Sequence, residues 1–307
     1  MTMGATTSAG TTSGRPHIAD YEAAVRQAGQ NLLPGHTDYP AALNSELRHL
    51  AVETPGKLVR PCLSVGVASI LSAPTQCVYA YAWACELLHV SSLVLDDLPA
   101  MDAATMRRGE PCIHLRRDEA FALFTALHGH NTALSLIHTY ATTAEIGMAF
   151  YQATFDALGT SGLIGGQYLD IDLRRGQSDI NYHEAYRMKQ GFRSVWTMCN
   201  HFKTASLFRL ALQAVTIPLE LPPEEADCLM RVGDLLGLSF QLRDDMADDA
   251  EDTNAGGVIK KLMTPAQCEA QLNDLRDEYW AELNAVFGAK GNDLACLMDS
   301  VIGRAGT

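Results

Sequence analysis

Two short acidic segments hold the residues most able to carry out chemistry. Each contributes three aspartates, which are Asp96, Asp97 and Asp102 in DDLPAMD and Asp244, Asp245 and Asp248 in FQLRDDMAD. Carboxylate oxygens are hard ligands that suit Mg²⁺, and protein-bound Mg²⁺ usually keeps several waters and bridges to substrate phosphates. The pattern favours a metal-dependent site for a phosphorylated substrate, and a solvated run of acidic residues is the simpler alternative.

The first segment follows a buried helix, because the apolar spacing from Val78 to Leu95 is close to 3.6 residues. Pro99 disfavours helical geometry at the residue before it and predicts the end of that helix. The helix dipole is negative at this end, so adjacent aspartates repel one another there unless a cation lies among them. Arg107 and Arg108 follow closely, and paired arginines near aspartates fit a site that holds both metal and phosphate.

The second segment ends a long apolar helix that begins near Pro223. Asp244 and Asp248 are four residues apart and share one helical face, where like charges weaken a helix. A cation between them would relieve that repulsion. Two acidic segments, each at the end of an apolar helix, predict the two walls of one cleft.

The remainder of the chain has the pattern of a helical protein. Residues 1–16 are rich in Ser, Thr and Gly and are expected to form a disordered tail, which leaves 17–307 as the folded domain. Helical spacing recurs in segments such as 78–95, 121–138, 182–215 and 223–249. Strand signals are few, since no alternating run is bounded by hairpin dipeptides. We therefore predict an all-α fold, a single large domain of about ten or more helices.

Composition and charge narrow the choice of partners. The chain has 23 basic and 36 acidic residues and a net charge of −13, which disfavours nucleic acid as a partner. The sequence predicts no membrane span, and residues 1–16 lack the apolar segment of a secretory signal. Eight scattered cysteines without a CxxC pair favour reduced thiols and a cytoplasmic location.

Both acidic segments resemble the two aspartate-rich motifs of the trans-isoprenyl diphosphate synthases. Further pieces follow in the order of that family, namely GKLVRP (56–61), ELLH (86–89), RRG (107–109), GGQYLD (165–170) and HFKTASLF (201–208). The match covers roughly residues 40–265, and SSLVLDD with NHFKT is most similar to bacterial geranylgeranyl diphosphate synthases of carotenoid pathways. The resemblance implies a helical domain with a central active-site cavity, and a homodimer.

The resemblance also implies a reaction, the Mg²⁺-dependent condensation of isopentenyl diphosphate with an allylic diphosphate. Three Mg²⁺ ions would be held by Asp96, Asp97, Asp102, Asp244, Asp245 and Asp248. The allylic diphosphate would contact Arg107, Lys203, Thr204 and Gln241, and isopentenyl diphosphate would contact Lys57, Arg60, His89 and Arg108. Lys260 or Lys261 would be a further diphosphate ligand, although residues 252–265 lack the Gly-Lys pair usual in the family.

The length of the product is expected to depend on the turn before Asp96. In such enzymes the growing chain extends down between helices, and Ser91 and Ser92 are both small, so a product of twenty carbons is expected. Alternatives are a farnesyl or longer-chain synthase and a class I terpene cyclase, which would not need the cations assigned to isopentenyl diphosphate. A non-catalytic synthase subunit should have lost an aspartate motif, and an unrelated acidic scaffold would be inactive.

Overall fold

Helices form nearly all of the regular structure in the computed structural model, which describes residues 14–54, 56–175, 180–251 and 263–305. The predicted all-α class is therefore confirmed. Within these ranges the α-helices are α1 (Glu22–Leu32), α2 (Ala41–Arg48), α3 (Val59–Leu71), α4 (Gln76–Asp96), α5 (Ile113–Arg116), α6 (Glu119–Tyr140), α7 (Ala144–Leu158), α8 (Leu163–Arg175), α9 (Ile180–Gln190), α10 (Val195–Asn200), α11 (Ser206–Thr216), α12 (Pro223–Glu251), α13 (Pro265–Phe287) and α14 (Ala289–Ile302). A 3₁₀-helix (Ile18–Tyr21) precedes α1, and π-helical turns occupy His49–Glu53 and His201–Ala205.

Helix α4 lies at the centre of the core. Thr75 caps its start by accepting a hydrogen bond from the backbone of Val78, and the helix ends at Asp96, shortly before Pro99 as predicted. Helix α6 packs along it, and α3 and α11 also contact it. By length and apolar composition α4 could cross a membrane, but 72% of that stretch is buried within the protein. Packing in the core accounts for its apolar sequence.

The segment 182–215, which has continuous helical spacing, is divided into several elements. Gly191 has a φ of +78°, a left-handed conformation that ends α9. Ser194 then starts α10 by accepting a hydrogen bond from the backbone of Thr197. The π-helical turn His201–Ala205 separates α10 from α11.

Two glycines allow neighbouring helices to approach this π-helical turn closely. A Cβ atom on Gly166 of α8 would lie 2.2 Å from the backbone nitrogen of Lys203. A Cβ atom on Gly237 of α12 would lie 2.4 Å from the Cα atom of Ala205. Because any side chain there would collide with backbone, the two glycines fix the position of the turn that carries Lys203.

A short strand pair forms in a segment without a strand signal in its sequence. Strands β1 (Met106–Arg107) and β2 (Glu110–Pro111) are antiparallel. Arg108 and Gly109 between them have φ values of +53° and +81°. A two-residue hairpin with a type I′ turn requires a positive φ at both of these positions. Strands of two residues are too short for alternation to reveal them. The hairpin holds Arg107 and Arg108 beside the end of α4.

Helices α13 and α14 are joined through the carboxylate of Asp299. It accepts hydrogen bonds from Tyr279 Oη at 2.6 Å, from Trp280 Nε1 at 3.1 Å and from Arg276 Nη2 at 2.7 Å. Burial opposes the ionised form, but these hydrogen bonds outweigh it and lower the pKa of Asp299.

Replacing Asp299 by alanine should therefore destabilise the fold by about 3 kcal/mol, because the buried Tyr279 hydroxyl would lose its partner. A lowered folded-state pKa adds stability above the unfolded value near 3.8, and this contribution should be lost as the pH falls through the folded-state pKa. Urea unfolding at neutral and acid pH measures both effects. The exposed Asp274→Ala variant is the control, and equal stabilities of the two variants would contradict the prediction.

Candidate active site

A cavity of about 540 Å³ lies between the end of α4, the hairpin, the π-helical turn before α11, and α12. Its volume is typical of small-molecule sites, which occupy roughly 300–1,000 Å³. Most residues predicted to bind metal or substrate line it, namely Lys57, Arg60, His89, Asp96, Asp102, Arg107, Arg108, Lys203, Thr204, Gln241 and Asp244. The fold thus brings both acidic segments to one cavity.

Asp97 is predicted to bind metal, but the structure gives it a different contact. It is only 5% exposed, and its Oδ1 atom accepts hydrogen bonds from Arg107 Nε at 3.0 Å and Nη2 at 2.6 Å. Charge-assisted contacts of this kind fix geometry as well as charge. In this arrangement Asp97 orients Arg107 toward the cavity.

Asp245 also stabilises one wall of the cavity, through hydrogen bonds from neighbouring side chains. Its carboxylate accepts hydrogen bonds from Gln241 Nε2 at 2.7 Å and from Trp196 Nε1 at 3.1 Å. The same Gln241 accepts a hydrogen bond from Thr204 Oγ1 at 2.8 Å. The contacts join α10, the π-helical turn and α12 on one side of the cavity. Trp196 was missed by the sequence analysis, since no spacing rule relates it to Asp245.

The carboxylates at the end of α4 are crowded. Burial raises the pKa of Asp96 to about 6, and the negative charges of Asp102 and Asp97 add to the rise against the opposing effect of Lys203 and Arg107. Such crowding, together with oxygen donors on Asp96, Asp102 and Asp244 around one cavity, fits a hard divalent cation. Among the described residues no group of three acidic, His or Cys side chains could hold a metal by itself. Waters or the phosphate oxygens of a substrate would complete the coordination of a metal here.

A network of ion pairs joins helix α8 to two residues that line the cavity, Lys203 and Asp102. Lys203 Nζ lies 2.6 Å from Asp170 Oδ2, and Arg174 Nη2 lies 2.7 Å from Asp102 Oδ1. Arg174 is also 3.4 Å from Asp170, one helical turn before it on α8. The sequence analysis assigned no role to Asp170 or Arg174. The spacing of four residues was visible in the sequence, but the pairing with Asp102 depends on the fold.

A second group of residues that line the cavity is basic. Arg60 is 7% exposed and lies over the ring of Phe208 at 4.9 Å from its centroid. Its Nε atom has no hydrogen-bond partner within the part of the chain that the structure describes. Arg108 Nη1 would lie 2.7 Å from a Cβ atom on Gly56, so this glycine makes room for the guanidinium. Burial, followed by the charges of nearby arginines, lowers the pKa of His89 well below its usual value, so its imidazole is neutral. A buried cationic surface of this kind suits a diphosphate.

The turn before Asp96 presents one of the two predicted serines to the cavity. Ser92 lines it, whereas Ser91 is buried against α6, with its Oγ atom 2.4 Å from the position of a Cβ atom on Gly129. On the same helix, α4, the buried Tyr81 stacks on Phe150 of α7 with ring centroids 4.1 Å apart.

The structure does not describe the side chains of three residues that were predicted to bind metal or diphosphate. The side chain of Asp248 and both Lys260 and Lys261 lie outside the described residues. Their assigned roles stay predictions.

The profile of a protein family described as Polyprenyl synthetase matches residues 41–262. A geranylgeranyl diphosphate synthase of Pantoea ananas is 33% identical over 231 residues, which are 71% of each chain. A second geranylgeranyl diphosphate synthase, from Pseudescherichia vulneris, is 34% identical over 230 residues, or 72% of this chain and 68% of that protein. A farnesyl diphosphate synthase of Bacillus subtilis (strain 168) is 27% identical over 214 residues, which are 69% of this chain and 68% of that protein.

Solved structures show the same fold. A geranyltransferase from Legionella pneumophila superposes with a TM-score of 0.77 at 25% identity, covering 94% of this chain and 97% of that one. A synthase from Zymomonas mobilis, described as an FPP/GFPP synthase, has a TM-score of 0.76 at 24% identity, covering 93% and 97%. Both likenesses extend over nearly the whole chain.

Proposed function

Because this chain belongs to the polyprenyl synthetase family of prenyltransferases, we propose that it condenses isopentenyl diphosphate with allylic diphosphates and forms geranylgeranyl diphosphate. The single observation that carries this proposal is the presence of two oppositely charged regions in one cavity. Asp96, Asp102 and Asp244 line this cavity, and so do the cations Lys57, Arg60 and Arg108. A terpene cyclase would need only one diphosphate site, so the second, cationic region favours a synthase.

The acidic side would bind the allylic diphosphate. Asp96, Asp102 and Asp244 would hold Mg²⁺, three ions in all with the other aspartates of the two segments, which act as Lewis acids on the diphosphate. Lys203 and Arg107 would neutralise the departing diphosphate, since both line the same cavity. The carbon–oxygen bond breaks, and its electron pair leaves with the diphosphate.

The cationic side would bind isopentenyl diphosphate. Lys57, Arg60 and Arg108 supply positive charge, and the neutral imidazole of His89 can donate one hydrogen bond. The double bond of isopentenyl diphosphate then forms the new carbon–carbon bond with the allylic cation. A proton is lost to the departed diphosphate, which restores the double bond.

Apolar side chains protect the allylic cation from water. Leu163, Leu207 and Phe240 also line the cavity. Excluding water favours carbon–carbon bond formation over hydrolysis of the cation.

Product analysis tests the proposal. Purified protein with Mg²⁺ and isopentenyl diphosphate is offered dimethylallyl, geranyl or farnesyl diphosphate separately, and the products are dephosphorylated and sized. A twenty-carbon alcohol from all three is the expected result. A product that stops at fifteen carbons would keep the condensation and overturn the proposed product. Hydrocarbon from an allylic diphosphate alone would overturn the synthase in favour of a cyclase.

We also propose that the protein is a cytoplasmic homodimer. All eight cysteines are thiols and none forms a disulfide, which suits a reducing compartment. Exposed apolar side chains form a stripe on α6, where Leu123, Phe124 and Leu127 are 44%, 60% and 65% exposed. Met148 of α7 is 67% exposed. An apolar surface of this kind is typical of a protein–protein interface.

Replacing Phe124 by glutamate should therefore weaken dimerisation by about thirtyfold or more, since it puts a charge into an apolar contact. Sedimentation equilibrium over a range of protein concentrations measures the dissociation constant. The matched control is Met188→Glu on α9, where the side chain is 70% exposed but lies away from this stripe. A wild-type monomer, or equal effects of both variants, would contradict the prediction.

A further inference from the structure

Arg174 connects the last turn of α8 to the first acidic segment. Its Nη2 atom lies 2.7 Å from Asp102 Oδ1 and 3.4 Å from Asp170 Oδ2. Asp170 in turn lies 2.6 Å from Lys203 Nζ. Neither the reaction proposed above nor the assigned ligands give Arg174 a role.

The ion pair occupies a carboxylate that the proposed reaction requires for a metal. A guanidinium and a divalent cation that share one carboxylate repel each other, and the repulsion is strong in a partly buried site. Asp97 is in a different position, because it is 5% exposed and held twice by Arg107. Asp102 has one such bond, and its side chain is 28% exposed while that of Arg174 is 42% exposed. Of the two ion pairs, the one at Asp102 is the easier to open.

We propose that Arg174 is the counter-ion of Asp102 in the metal-free protein and that a divalent cation binds at Asp102 by displacing it. The inference rests on the metal role proposed above for the first acidic segment. Arg174 then sets the metal concentration that the site requires. It also couples metal binding to the contact between α8 and the loop after α4, since opening the ion pair removes one of their links.

Arg175 offers a matched control for this idea. It follows Arg174 on the same helical turn, and its Nη2 atom donates a hydrogen bond to the backbone oxygen of Ala100 at 2.8 Å. Its substitution removes the same charge and also one link to the loop, but it leaves Asp102 paired. A difference between the two positions therefore isolates the ion pair from the change in net charge.

Binding of Mn²⁺ tests the proposal without any turnover. Mn²⁺ prefers the same oxygen ligands as Mg²⁺, and the paramagnetic resonance signal of the free ion disappears when it binds. In the absence of substrate, Arg174→Gln should bind Mn²⁺ about fivefold more tightly than the wild type. Arg175→Gln should change the affinity less than about twofold, and Arg174→Lys should restore weaker binding.

Equal affinities of Arg174→Gln and the wild type would overturn the proposal, and so would equal gains in Arg174→Gln and Arg175→Gln. Melting temperatures without metal check that each variant is folded, which the exposure of Arg174 favours. The outcome is separate from that of product analysis. An inactive protein with the expected Mn²⁺ shift would overturn the condensation alone, whereas an active protein without the shift would overturn only the role of Arg174.

Discussion

Replacement of Asp96 by asparagine is expected to lower kcat by at least about a thousandfold, because the change removes a charge aimed at the metal and the departing diphosphate. Asp96 is the last residue of α4 and lines the cavity directly, and burial together with the nearby Asp102 and Asp97 raises its pKa. The amide is similar in size to the carboxylate. The loss should therefore appear in catalysis while the helix stays folded.

Initial rates with isopentenyl and farnesyl diphosphates measure this effect, and Asp274→Asn on the exposed face of α13 is the control. The KM for isopentenyl diphosphate should change little, since that substrate is assigned to the cationic side. A kcat within tenfold of the wild type would remove Asp96 from the catalytic machinery.

Replacement of Ser92 by phenylalanine is expected to shorten the product from twenty carbons to fifteen. Ser92 lies one helical turn before Asp96 and lines the cavity, so a large ring there would stand in the path of the growing chain. The ring would fill the space that the last isoprenoid unit of a twenty-carbon product needs. The overall rate of the earlier condensations should be kept.

Chromatography of the dephosphorylated products measures the shift, with Ser92→Ala as the control that keeps the space open. Ser91 provides a second comparison, since it faces α6 near Gly129 and is not among the residues that line the cavity. Ser91→Phe should lower the melting temperature through overpacking. A twenty-carbon product from Ser92→Phe would mean that the chain grows along another wall.

The sequence was sufficient for the features that depend on local rules. Pro99 marked the end of α4, and the order of the motifs led to the residues that line the cavity. The orientation of Ser91 could not be predicted, because the rotation of a buried helix depends on its neighbours. The partner of Asp102 could not be predicted either, since Arg174 is 72 residues away in the chain and meets it only through the packing of α8.

The interruptions of helical structure within residues 182–215 likewise include some that local sequence signals predict and one that they do not. Gly191 and Ser194 are local signals for the end of one helix and the start of another, and they were visible in the sequence. The π-helical turn at His201–Ala205 had no such signal. It depends on the close approach of two flanking helices at their glycines.

That turn also restricts how this part of the chain can vary in length. A π-helical turn holds one residue more than the α-helical turn that would replace it. The extra residue changes the direction in which all later side chains of the helix point, relative to those before the turn. Lys203 faces the cavity, whereas Leu210 and Leu212 in α11 are buried in the core. A single insertion or deletion at 201–205 would therefore rotate Lys203 and the core face relative to each other. Surface loops tolerate such changes, but here substitution is the only kind of variation that leaves both faces in register.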